Sequence, residues 1–327
     1  MKNNGIVSKK TNRKDAASFL LFVFLLPYVC AFLWGHVGEE SGAFGKRSGE
    51  TKQSDYMVEA SVEWGVWNLP AAEYLTYRLF LTLPEDYEQE TRKAQAVLLR
   101  TELASLYKEA EDKKIAVDGE NIAGFYGEGD QGREESLRLC RQAVEETAGE
   151  ILIYRGQPVR ASYFKVSNGH TRSAEDAGEE ECPYLSMTAC EQDKDAPDYH
   201  SVVKVDRSVY IETMRRILGE DYGEEEIWQG GDFFFDRAGY MTSVSYHDEE
   251  GTKKRVDGET YRHLFGLASA SFEAKWGEGR VVFYVTGVGH GYGLSQYSAD
   301  CRAKDGETYE QILSGFFSQA ELETVEE

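Results

Sequence analysis

Apolar and polar positions alternate along Met57-Val58-Glu59-Ala60-Ser61-Val62-Glu63-Trp64, and this period of two predicts a half-buried strand where a folded body begins, near Tyr56. The period then lengthens. A helix is predicted from Ala71 to about Leu83, stopped by Pro84, whose ring cannot continue the hydrogen-bond ladder. A longer helix is predicted from about Glu88 to Lys113, with Ala94, Val97, Leu98, Thr101 and Leu106 near one face. Leu137, Cys140, Val144 and Thr147 recur at helical spacing. Ile151 to Tyr154 and Val159 to Phe164 read as a hairpin across Arg155-Gly156-Gln157-Pro158. A further helix is predicted near Ser208 to Leu218, and a second hairpin between Asp232 and Arg255. Near the C-terminus a strand, Val281 to Thr286, runs into a glycine-rich turn, Gly287 to Gly293, that opens into a helix. Strand pairs and helices mix without regular β-α-β alternation, which predicts an α+β fold in a single domain.

The N-terminus departs from this pattern. Residues 16 to 36 carry no formal charge, and Ala16 to Gly35 is long enough to span a bilayer as a helix. Lys2, Lys9, Lys10, Arg13 and Lys14 precede it and acidic residues follow, an asymmetry that places the N-terminus in the cytoplasm. A cleaved signal peptide is the competing reading, but the run is long and no small-x-small cleavage site follows it. The expected layout is a basic cytoplasmic tail (1–15), a transmembrane anchor (16–35), a flexible linker (36–55), an extracytoplasmic domain (56–318) and an acidic tail (319–327). Such a protein would sit in the cell membrane as a single-pass protein with its body outside.

Charge narrows the partners. The chain carries −22 and residues 1–15 carry +4, so the rest holds −26. An acidic body suits nucleic acid poorly, because such affinity rests on cations neutralising phosphates. Glycine spacing at residues 287–293 invites a nucleotide-binding reading, but no Lys-Ser/Thr pair follows it and no β-α-β repeat surrounds it. Cys140, Cys182, Cys190 and Cys301 lie outside the anchor and allow three pairings; disulfides, free thiols and metal ligation all stay open. No cofactor is expected. Zinc near His170, Cys182 and Cys190 is the alternative, at a spacing that matches no standard pattern.

Three stretches carry the candidate chemistry: Lys93-Ala94-Gln95-Ala96-Val97-Leu98-Leu99-Arg100-Thr101 in the long helix, Ser167-Asn168-Gly169-His170-Thr171-Arg172-Ser173-Ala174-Glu175-Asp176, and Gly289-His290-Gly291-Tyr292-Gly293-Leu294-Ser295-Gln296-Tyr297-Ser298-Ala299. In this order they resemble the stage II sporulation protein D family, with its KAQAVAART-like helix, SGGxTxSAED-like loop and GWGHGVGMSQxGA-like signature. The resemblance covers roughly residues 56 to 318. It implies a membrane-anchored lytic transglycosylase that remodels septal peptidoglycan during engulfment, acting on glycan strands stripped of peptides by an amidase partner, among other engulfment proteins. In such an enzyme one carboxyl group protonates the glycosidic oxygen, and the sugar's 6-hydroxyl closes an anhydro ring without consuming water.

Two departures matter. Glu73 to Pro84 aligns on the family's EYLxGVVAxEMP pattern, and the catalytic glutamate falls on Thr82. Lys165 stands where the family places a histidine after Tyr163-Phe164. Under the enzymatic reading Glu85, Asp86 or Glu175 supplies the acid, while Thr82, Arg100, Lys165, Ser167, His170, His290 and Gln296 line the cleft. The alternative is a glycan-binding or scaffolding protein that has lost its proton donor.

Overall fold

The computed structural model describes residues 57–62, 65–109, 114–118, 131–248 and 250–325. The expected tail, anchor and linker lie outside these residues. No helix among the described residues is long and apolar enough to cross a membrane.

The alternating run forms β1 (Met57–Val62), paired antiparallel with β2 (Gly65–Pro70) and parallel with β3 (Lys114–Asp118). Between them run α1 (Ala71–Thr82), which ends before Pro84 as expected, and α2 (Gln89–Glu109). The expected extension of α2 to Lys113 falls on residues outside those described.

Helix α2 is the axis of the N-terminal half. Ala96, Leu99 and Leu103 pack towards β1, α1 and α3 (Gln131–Glu146), whereas Ala94, Val97 and Leu98 pack towards β4 (Glu150–Tyr154) and the C-terminal helices. Burial on two sides forces its polar residues inward, so each needs a partner. Thr101 donates to the Val97 carbonyl at 2.7 Å and accepts from the Leu152 amide at 2.9 Å. Leu106, expected on the buried face, is instead 38% exposed.

The hairpin across Arg155 and Gly156 forms, with both residues at positive φ, but its return strand β5 is only Gln157–Pro158. The Ser162 amide donates to the Arg160 carbonyl at 2.9 Å, and this tight turn diverts the chain into β6 (Tyr163–Phe164). Of the expected strand Val159 to Phe164 only the last two residues are strand, and the hairpin's return strand, β5, falls within the expected turn.

Next come β7 (His200–Asp206), α4 (Arg207–Leu218) and α5 (Glu224–Trp228). The region expected as a second hairpin is a three-stranded antiparallel meander of β8 (Asp232–Phe235), β9 (Met241–His247) and β10 (Lys253–Asp257), followed by α6 (Gly258–Leu264). Strands β11 (Phe272–Trp276) and β12 (Arg280–Thr286) join β7 in an antiparallel sheet. This half packs around Tyr210, Tyr246 and Tyr261; the Tyr210 hydroxyl meets the other two at 2.5 and 3.0 Å, which satisfies three buried polar atoms together.

The chain ends with β13 (Leu294–Ser295), parallel to β6, then α7 (Gln296–Lys304), α8 (Tyr309–Phe316) and β14 (Glu321–Thr324). Part of the expected acidic tail is thus a strand: β14 pairs antiparallel with β4, whose edge amides and carbonyls would otherwise lack partners. The fold class is α+β, with mostly antiparallel sheets.

Candidate functional site

The glycine–histidine loop lies between β12 and β13, bridged at Val288 to Val166, at Gly289 to Ser269 and at Tyr292 to Arg172. The Ser167 stretch therefore runs beside it. Gly289 (φ +116) lies so close to β6 that an added Cβ would sit 2.6 Å from the Phe164 Cβ, and Gly293 (φ +77) abuts the Ser162 carbonyl. Gly293→Ala combines a left-handed backbone with overlap against main chain. It is expected to cost at least about 2 kcal/mol, read as a lowered midpoint in urea unfolding; an unchanged midpoint would show that the loop has slack.

His290 Nδ1 accepts from the Tyr292 amide at 3.0 Å, which leaves the ring proton on Nε2, beside the Tyr163 carbonyl. Burial holds the imidazole pKa below its ordinary value. His290 is accordingly a neutral donor rather than a cation at neutral pH.

Arg172 braces this loop. Its amide donates to the Gly291 carbonyl at 2.7 Å, its Nη1 to the His290 carbonyl at 3.4 Å, and its guanidinium lies 4.5 Å from the Tyr292 ring centroid. Its Nε meets Asp236 Oδ2 at 2.6 Å in an ion pair whose side chains are 6% and 1% exposed. Nothing in the sequence singled out Asp236, because its partner lies 64 residues away.

Asp193 ties the motifs together. It is 0% exposed, and its carboxylate accepts from the Ser167 amide (2.6 Å), Ser295 Oγ (2.7 Å) and Ser298 Oγ (2.7 Å). Asp300 does similar work at the start of α2, where its Oδ1 accepts from the Glu88 amide at 2.7 Å and Thr91 Oγ1 at 3.3 Å. Gln296 closes the arrangement: its Nε2 donates to Gln95 Oε1 of α2 at 3.1 Å and to the Thr82 carbonyl at 3.3 Å.

A groove of about 750 Å³ is lined by Glu102 and Leu106 of α2, by Arg160, Tyr163 and Tyr184, and by His290 of the glycine–histidine loop. Burial pushes the Tyr184 hydroxyl up to about 12, so it stays protonated; it accepts from the Arg160 amide at 2.9 Å.

The residues expected at the site separate into groups. His290 lines the groove, whereas Gln296 is buried against Gln95 of α2 and is not among the lining residues. Thr82 ends α1, half-buried, with its hydroxyl donated back to the Arg78 carbonyl. Glu85 and Asp86 are exposed on the turn after Pro84, which Arg92 clamps through the Glu85 and Tyr87 carbonyls. Glu175 is exposed and paired with Arg237 at 3.1 Å, away from the groove lining. Arg100, expected in the cleft, is 5% exposed and spends its guanidinium on the Val144 and Glu150 carbonyls and Thr147 Oγ1; it braces α3 against β4. Ser167 is buried, its Oγ accepting from the Gly169 amide. Lys165 and His170 are exposed.

The cysteines left open by the sequence are free thiols at 140, 182, 190 and 301. Cys182 accepts from the Tyr184 hydroxyl at 3.3 Å, and burial pushes the Cys190 thiol up to about 12. No group of three His, Cys, Asp or Glu side chains suited to a metal ion occurs among the described residues.

Comparison with known proteins meets this geometry. A family model described as stage II sporulation protein matches residues 61–154, the segment from β1 to β4 that contains Thr82 and all of α2. Stage II sporulation protein D of Bacillus amyloliquefaciens is 28% identical over 272 residues, covering 79% of this chain and 75% of that protein. That of Bacillus subtilis (strain 168) is 27% identical over 277 residues, covering 81% and 78%. An uncharacterized protein of Brachyspira hyodysenteriae is 25% identical over 240 residues, covering 72% of this chain and 62% of that protein. The chain is thus similar to stage II sporulation proteins D over most of its length, and the three motifs that carry the likeness are tied to one another through Asp193 and through the Gln95–Gln296 hydrogen bond.

Proposed function

We propose that this protein serves sporulation by gripping glycan strands of the septal wall in the groove beside His290, without cutting them. Similarity to stage II sporulation proteins D over most of the chain supports the sporulation role, and the uncharged run at residues 16–35 supports a single-pass location in the cell membrane with the body facing the wall. Amidases and other engulfment proteins are the partners this role calls for.

The observation that carries the reading is the environment of Thr82. Lytic cleavage needs a carboxyl in partly apolar surroundings, poised to give and retake a proton. The position where the family has its glutamate holds a hydroxyl turned into its own helix. The nearest carboxyls, Glu85 and Asp86, face water, and Glu175 is held by Arg237. The groove that His290 lines is nonetheless large enough for a sugar unit, with apolar residues such as Leu106 and Pro158 interspersed among polar ones such as Glu102 and Arg160.

Incubating the full-length protein with peptide-stripped glycan strands tests this. Co-sedimentation with the strands, and no anhydro-sugar ends by mass spectrometry, is the expected result. Anhydro ends above a no-protein control would establish cutting and end the non-cutting reading; failure to co-sediment would end the glycan reading altogether.

A further inference from the structure

Charge is distributed unevenly between the two walls of the groove. On one wall Arg160 is committed: its guanidinium is bonded to Glu179 and its amide to the Tyr184 hydroxyl. On the other, Glu102 is the one carboxylate lining the groove among the described residues. Its Oε2 stands 3.7 Å from Arg78 Nη2, with the two side chains 51% and 35% exposed. That separation is too long for a direct hydrogen bond, and a half-solvated pair holds itself weakly, by about 0–1 kcal/mol. On its other side Arg78 faces the Tyr74 ring, 6.0 Å from its guanidinium carbon. Glu102 thus brings an acceptor to the groove and holds the Arg78 donor 3.7 Å from it, a gap that a third polar atom could bridge.

We infer that Arg78 and Glu102 form a hydroxyl-binding notch that holds one ring hydroxyl of a pyranose unit, an inference that rests on the glycan reading above. The hydroxyl donates to Glu102 Oε2 and accepts from Arg78 Nη2, and Leu106 and Pro158, both lining the groove, offer apolar surface to the C–H face of the ring. The local charges balance, Arg78 against Glu102 and Arg160 against Glu179, although the chain as a whole is strongly acidic. A balanced pair of this kind favours a neutral polyhydroxylated ligand over a cation or an anion. Thr82 lies one helical turn beyond Arg78, and its hydroxyl is spent on the Arg78 carbonyl and so takes no part in the notch.

Calorimetric titration of the full-length protein with an N-acetylglucosamine tetramer, and with peptide-free glycan strands, tests the notch. Glu102→Gln keeps the shape but removes the charge-assisted acceptor, and is expected to weaken binding about tenfold. Arg78→Gln should weaken it similarly, and the double variant little further, because both groups hold one hydroxyl. Glu135→Gln, on the exposed face of α3, is the control and should bind as the wild type does. Wild-type affinity in Glu102→Gln, or losses in the two single variants that simply add, would overturn the notch while leaving the glycan reading intact. If the wild-type protein binds neither probe, the glycan reading fails and the notch with it. Thermal midpoints of the variants, expected to match the wild type because both side chains are half-solvated, separate lost binding from lost folding.

Discussion

Asp193→Ala is expected to lower the unfolding free energy by about 3–5 kcal/mol, a large part of the total for an ordinary domain. The residue sits in a short polar turn, Glu191-Gln192-Asp193-Lys194-Asp195, yet it is fully buried and takes hydrogen bonds from three donors on two other segments. Alanine would leave the Ser167 amide and the hydroxyls of Ser295 and Ser298 without their acceptor, in a site closed to water. Asp193→Asn should cost only about 1–2 kcal/mol, because the amide oxygen can serve one side while the NH₂ group donates to a serine hydroxyl that rotates to accept. Urea unfolding of both variants reads the difference. A loss below about 1 kcal/mol in the alanine variant would show that the serines find other partners and that Asp193 does not hold the motifs together.

The same residue marks where the sequence stops being informative. An aspartate among glutamate, lysine and a second aspartate reads as solvated surface; its partners lie 26, 102 and 105 residues away, and no local pattern encodes such distances. Asp236 and Asp300 are hidden for the same reason. Patterns that depend on period were legible: β1, α1, α4 and the strand–turn–helix around His290 lie where alternation, helical spacing and glycine predicted. Helix α2 was legible in part. Its stripe of Ala94, Val97, Leu98 and Thr101 is buried, but a second stripe, Ala96, Leu99 and Leu103, is buried as well, and a helix covered on two sides loses the contrast that reveals a single face. Arg100 was misread on this account. A cation on a one-sided helix reaches solvent or ligand, whereas on a central helix it must find carbonyls, and it finds those of Val144 and Glu150. Glu102, two residues further along the helix, escaped notice because nothing in the sequence tells that the turn after Pro158 opens a groove against it.

Thr82→Glu is expected to convert the protein into a cutting enzyme, releasing anhydro-ended fragments from peptide-stripped strands at least about 100-fold faster than the wild type, the lower end of what a positioned proton donor contributes. The position is held in register: Gln296 of α7 and Gln95 of α2 meet beside the Thr82 carbonyl, and the α1 terminus is closed by the Leu83 amide donating to the Leu79 carbonyl. Exchanging the side chain therefore leaves the backbone tethered, and threonine gives up only one hydrogen bond to its own helix. The chemistry balances with one carboxyl group. Its proton goes to the glycosidic oxygen as the C1–O bond breaks, the sugar's 6-hydroxyl oxygen bonds to C1, and the carboxylate takes the hydroxyl proton. Thr82→Gln, equal in shape but unable to donate in this way, should bind strands and release no ends. A Thr82→Glu variant that folds and binds strands with wild-type affinity but yields no ends would mean that more than the donor has been lost. Lys165, which stands where the family has histidine and is bonded through its carbonyl to the Tyr297 amide, would then be the next residue to exchange, as Lys165→His in the Thr82→Glu background.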